Sequence, residues 1–105
     1  MEAIIVLITC PNGRLAESIG SALVENRLAA CVNIVPGITS IYRWEDKIQR
    51  DSEVMLIVKS SAQKHEQLKD AVLKLHSYTT PEFIIIKPSD VEQNYLKWLM
   101  GEVKS

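Results

Sequence analysis

The stretch "LHSYTTPEF" at 75–83 sets His76, Ser77, Tyr78, Thr79, Thr80 and Glu82 between two apolar segments. An imidazole, a phenol, hydroxyls and a carboxylate this close together suit three roles. They can hold a metal ion, move a proton, or form a polar turn between a helix and a strand. The residue types alone do not choose among these. The choice depends on which other segments the fold brings to the same place.

Cys10 and Cys31 are the only cysteines. The chain has no Cys-x-x-Cys, no His-x-x-x-His, no calcium-loop spacing, no Gly-rich phosphate loop and no Gly-x-Ser-x-Gly. A self-contained zinc or EF-hand site is therefore not expected, whereas a site assembled from distant segments or several chains stays open. The chain has 105 residues, of which 47% are apolar, and a formal net charge of −1. That composition supports one packed domain spanning 1–105. No basic stripe points to nucleic acid, and no apolar run is long enough for a membrane span. "MEAIIVLITCP" lacks a basic n-region and carries Glu2 in its place, so a cytoplasmic protein is expected.

The elements that must position these residues follow from periodicity. Ala3–Thr9 is almost unbroken apolar, as in a central strand covered on both faces. Leu15, Ile19, Ala22 and Leu23 predict a helix over 13–27. A long strand follows over 30–44, with Pro36-Gly37 as a bulge or bend. "EDKIQRDS" carries a polar reversal, "EVMLIVK" is a second apolar strand, and the mixed signs of "EDKIQRDSE" (45–53) read as a solvated hairpin tip. Ser60 with Gln63 predicts a capping box for a helix whose stripe is Leu68, Ala71, Val72 and Leu75. "EFIIIK" is a strand, and Ser89 with Glu92 predicts the cap of a third helix carrying Val91, Tyr95, Trp98 and Leu99.

The order β-α-β-β-α-β-α, with right-handed crossovers, predicts an α+β ferredoxin-like antiparallel sheet of order 4-1-3-2. Two helices cover one face, and a C-terminal helix is added. This topology carries Cys10, His76, Tyr78, Glu82 and the Ile41–Trp44 end of strand 2 to one end of the sheet. Cys31 and Lys59 go to the other end, so the cysteines lie beyond the ~7 Å Cα separation a disulfide needs. A thiolate, an imidazole and a carboxylate together would suit Cu(I) or Zn, making Cys10, His76 and Glu82 candidate metal ligands. Each also has a plain role. Cys10 can be a small buried residue, His76 a helix-end cation and Glu82 a solvated carboxylate. Strand 2 alternates Ile38, Ser40, Tyr42 and Trp44 against Thr39, Ile41 and Arg43, so both its faces carry apolar groups. An edge strand of that kind calls for another chain to cover it. Tyr42, Trp44 and Trp98 are read as pocket or interface aromatics, together with Tyr78.

"RLAACVNIVPGITSIYRWEDKI" (27–48), "SEVMLIVKS" (52–60), "LHSYTTPEF" (75–83) and "YLKWL" (95–99) resemble the CutA divalent-cation tolerance proteins. The resemblance implies a homotrimer, a link to copper and other divalent metals, no obligatory cofactor and no enzymatic activity. Asp46 stands where the family commonly has glycine, and a different hairpin turn is expected there. The alternative reading is a trimeric PII-like regulatory or scaffold module that binds a small ligand or a partner protein.

Overall fold

A computed structural model describes residues 2–104. Its elements are β1 (Ala3–Cys10), α1 (Gly13–Glu25), β2 (Cys31–Trp44), β3 (Lys47–Ser61), a 3-10 turn (Ala62–Lys64), α2 (His65–Leu75), β4 (Ile84–Ile86) and α3 (Gln93–Glu102). The strands lie in the order β2-β3-β1-β4, with every neighbour antiparallel. This is the order 4-1-3-2 read from the opposite edge.

One face of the sheet is a closed core. Ile4, Val6 and Ile8 of β1 and Leu56 and Val58 of β3 pack against Ala16, Ile19 and Leu23 of α1 and Leu68 and Val72 of α2. Most of these side chains have no solvent contact, and each Ile, Leu or Val among them contributes roughly 1.5–3 kcal/mol. The alternate residues Ile5, Leu7, Met55 and Ile57 point to the other face. There α3 covers only the Ala3 end, where Leu99 and Val103 pack with Ala3 and Ala30. Ile84 and Ile86 pair with Leu7 and Ile5 on this same face and stay exposed. The two central strands are therefore covered on one face and only partly on the other, not on both as their unbroken apolar runs suggested.

The helix boundaries differ in instructive ways. α1 begins where the Asn12 side chain accepts from the Leu15 N–H. It ends at Glu25 rather than 27, because Arg27 turns into the left-handed region at φ 58°. Ser60 does not cap the second helix. β3 runs two residues further than its pattern suggested, to Ser61, and the buried Ser60 hydroxyl donates to the Leu28 carbonyl at 2.6 Å. Ser61 caps the 3-10 turn instead, accepting from Gln63 N–H, and α2 starts after Lys64 with no side-chain cap. Glu92, not Ser89, caps α3 by accepting from Tyr95 N–H. Leu75 and Trp98 were placed on buried stripes but are 41% and 44% exposed, because each lies outside the arc its helix presents to the body.

The β2–β3 hairpin shapes the molecule. Its turn is only Glu45-Asp46, flanked by the Trp44–Lys47 pair, and both turn residues have positive φ (50° and 64°). That is the backbone a two-residue hairpin requires. Asp46 adopts it without glycine, which short polar side chains tolerate. The polar reversal is strand from Lys47 onward. The ladder shifts between Val35–Met55 and Ile38–Glu53, so β2 carries one extra residue at Pro36-Gly37. Gly37 supplies a φ of 72° there. The bulge reverses the side-chain parity of the strand. It therefore aims Ile38, Ser40, Tyr42 and Trp44 to the open face, where Cys31, Asn33 and Val35 already point.

Candidate functional site

At the Cys10 end of the open face lies a pocket of about 580 Å³. Its floor and one wall come from the sheet: Thr9 of β1, Ser40 and Tyr42 of β2, and Asp51 and Glu53 of β3. Asp51 and Glu53 are two residues apart on one strand, so they share a face. The other wall is the α2–β4 loop, with Tyr78, Thr79, Thr80 and Glu82, and Ile41 and Trp44 reach in from the hairpin. "LHSYTTPEF" is thus the loop that closes this pocket.

His76 holds the loop in place. It caps α2, its backbone N–H bonding the Val72 carbonyl, and its ring turns inward until only 8% exposed. Nε2 lies 2.7 Å from the Thr9 carbonyl oxygen and 3.8 Å from Cys10 Sγ. Nδ1 accepts from the Tyr78 backbone N–H at 3.1 Å. A carbonyl can only accept and an amide N–H can only donate, so the ring must carry its proton on Nε2. Both ring nitrogens are engaged in tying the loop to β1. Next along the loop, the Tyr78 ring packs on His76 with centroids 4.7 Å apart, and its hydroxyl donates to Glu53 Oε2 at 2.7 Å. A second phenol-carboxylate pair stands beside it, with the Tyr42 hydroxyl donating to Asp51.

The pocket is electrostatically one-sided. Glu53 is 92% buried, and among the described residues no Lys, Arg or His forms an ion pair with it. Among the described residues no basic side chain lines the cavity. The neighbours register this field. Glu82 is raised above the ordinary carboxylate range, by its own burial first and then by the charge of Glu53. Burial, the hydrogen bond to Glu53 and the nearby carboxylates push the Tyr78 phenol up. The bond to Asp51 is the main cause for Tyr42. Burial, and then Glu53, push the Cys10 thiol up to about 11. Fully enclosed, Cys10 is a protonated thiol at neutral pH and not a ready thiolate.

The sequence-derived candidates are therefore split. Cys10 and His76 do meet, but behind the pocket, while Glu82 lines it with Tyr42, Trp44 and Tyr78. Trp98 is elsewhere, stacked at 5.4 Å on Tyr95 of α3. Among the described residues no group of three or more His, Cys, Asp or Glu side chains stands close enough to hold a metal ion within one chain. Asp51 and Glu53 were hidden inside what looked like a solvated hairpin tip. Their signal was the i, i+2, i+4 row Gln49, Asp51 and Glu53, which puts both acids on one face of an extended strand. Both cysteines are free. Cys10 pairs with Val54 and Cys31 with Lys59, about 16 Å apart along β3.

Fold and pocket together define a small ferredoxin-like protein with a carboxylate-rich, aromatic-walled pocket on the uncovered side of its sheet. Residues 4–102 match the family described as CutA1 divalent ion tolerance protein, and the chain belongs to that family. The divalent-cation tolerance protein CutA of Thermus thermophilus is 48% identical over 95 residues, covering 90% of this chain and 92% of its own length. Protein CutA of Homo sapiens is 44% identical over 98 residues; the match covers 93% of this chain but 55% of that protein. Of the solved structures, Thermus thermophilus Cut A1 superposes with a TM-score of 0.93 at 46% identity, covering 95% of this chain and 97% of its own. CutA1 from Oryza sativa superposes at 0.96 with 36% identity, covering 99% of this chain and 95% of its own. No helix among the described residues is long and apolar enough to cross a membrane.

Proposed function

We propose that this chain serves divalent-cation tolerance as a cytoplasmic homotrimer that binds a divalent metal ion, copper included, in the acidic pocket. One observation carries the reading: Glu53 is a buried carboxylate without a cationic partner among the described residues, facing a cavity it shares with Asp51 and Glu82. A buried charge is costly until a counter-charge arrives, and a divalent ion supplies it. The lining groups are oxygens of carboxylates, phenols and threonine hydroxyls, which fit a hard or borderline divalent ion. Copper fits this set as Cu2+, which stands at the top of the divalent affinity series. Cu(I) would want the Cys10 thiolate, and burial opposes that form.

Glu82 and Glu53 are the proposed ligands and Asp51 the supporting charge, with Cys10 and His76 behind them holding Thr9 and Tyr78 in place. The residues of one chain leave the set incomplete, so water or a neighbouring subunit completes it. Assembly is supported by the apolar open face, including Ile84 and Ile86, and by the exposed Ile41, Tyr42, Trp44 and Ile48 on the projecting hairpin. Two free cysteines agree with a reducing compartment. The role proposed is binding rather than catalysis.

Calorimetric titration with Cu2+ and Zn2+ tests the reading. Saturable binding that falls at least tenfold in Glu53→Gln and in Glu82→Gln supports it. Binding that neither change affects places the metal elsewhere.

A further inference from the structure

A second cleft lies at the opposite end of β1 from the acidic pocket. It runs between the β3–α2 junction and α3, with a volume of about 650 Å³, within the range of small-molecule sites. Its charge is reversed. Lys64 stands on one bank and Lys97 and Lys104 on the other, and among the described residues no carboxylate side chain lines it. Among the described residues, none of these lysines forms an ion pair. Lys97 lies on α3 itself, and Lys104 follows the Val103 cap just past its C-terminal end. Between the banks the floor is apolar, with Leu96 and Met100 prominent.

Gly101 adds an independent observation. It lies in the last turn of α3, where glycine costs up to about 1 kcal/mol relative to alanine. A Cβ built there meets nothing within 4 Å, and its φ is not left-handed. Neither packing within the chain nor backbone geometry requires the glycine. It lines the cleft, and without a side chain it leaves open the space beside Lys97 and Met100.

We propose that this cleft binds a small amphiphilic anion, an organic phosphate or carboxylate with an apolar body. Its charged group would lie among the three ammonium groups and its body along Leu96 and Met100. Lysine stems can cover the apolar part while their heads meet the anion. A bare inorganic anion would use only the rim, and a neutral amphiphile only the floor. The lining calls for both properties in one molecule. The cleft is separate from the acidic pocket, so the two proposals stand or fall independently.

The test is NMR titration of the assembled protein with dodecyl phosphate below its micellar concentration, following the Met100 methyl and the Gly101 and Lys97 amides. Inorganic phosphate and dodecyl maltoside serve as separate probes. Saturable shifts at these positions are expected, with at least tenfold weaker binding of either control. Lys64→Glu with Lys97→Glu should weaken binding by tenfold or more. Gly101→Phe, which fills open space without changing charge, should weaken it similarly. An equal response to inorganic phosphate would reduce the site to a surface ion cloud. Equal response to the maltoside, or unchanged binding in both variants, would equally overturn the proposal.

Discussion

The His76 ring joins two segments distant in sequence, donating through Nε2 to the Thr9 carbonyl 2.7 Å away and accepting at Nδ1 from the Tyr78 amide. Removing the ring leaves a buried carbonyl and an amide without partners. His76→Ala should therefore cost about 1–3 kcal/mol of stability, read as a lower urea midpoint at unchanged slope. The same variant separates positioning from ligation. With both ring nitrogens occupied, the electron paramagnetic resonance spectrum of bound Cu2+ should keep its line shape in His76→Ala while affinity falls. Loss of nitrogen coupling in that variant would make His76 a ligand.

Cys10 gives a prediction in the alkaline range. Its thiol is raised from 9.0 to about 11 in the folded chain, so folding favours the protonated form. The stability this group contributes is fully present below pH 9.0, where folded and unfolded chains both hold the proton. It is lost as pH rises through about 11, because the unfolded chain ionises first. Urea midpoints should fall between those values by more in the wild type than in Cys10→Ala. Iodoacetamide at neutral pH should label Cys31 faster than Cys10, which has no solvent contact. Faster labelling of Cys10 would contradict its enclosure.

The sheet order was legible because crossover handedness and one hairpin leave few topologies. Convergence of Cys10, His76 and Glu82 at one end followed from strand direction alone. What the sequence did not show was depth. Cys10 and Glu82 share an end of the sheet, yet one lies behind it and the other in front. Pro36-Gly37 marked a bulge, but the parity change that brings Tyr42 and Asp51 together depends on how many residues the bulge adds. Glu53 looked like part of a wet hairpin because its burial comes from the Tyr78 loop, which is distant in sequence. Trp98 was read both as part of the α3 stripe and as an interface aromatic, and the stripe is broader than the strip α3 buries.

Glu82 should trade stability against binding. Burial and the charge of Glu53 raise its pKa above 4.5. The sign follows directly. Below the ordinary value the group is protonated in both states and its favourable contribution is complete; this is lost as pH rises through the raised value. At neutral pH the ionised side chain therefore opposes folding of the metal-free protein. Glu82→Gln should raise the metal-free melting temperature at pH 7, and the gain should vanish below about pH 4. The same variant should bind metal at least tenfold more weakly. A lower melting temperature at pH 7 would mean the carboxylate has a partner that stabilises it.

Assembly is best tested where a substitution cannot harm the single chain. Ile86 sits on the edge strand β4, pairs with Ile5 on the open face and is 42% exposed, so the core does not depend on it. Trp44 is 51% exposed near the projecting hairpin tip. If three chains close over these surfaces, each buried side chain contributes roughly 1.5–3 kcal/mol per copy, and cyclic closure repeats it. Ile86→Glu places a charge in the covered face and should dissociate the wild-type trimer into folded monomers. Trp44→Ala should weaken it, so that sedimentation at micromolar concentration shows a smaller mass on dilution. Circular dichroism should stay near wild type in both variants, separating lost assembly from lost fold. Trp98 is comparably exposed on α3, so Trp98→Ala now carries a similar expectation, rather than the smaller effect that packing within its own chain would imply. A wild-type monomer at micromolar concentration would leave the open face without a cover. The acidic pocket would then have to complete its ligand set with water alone.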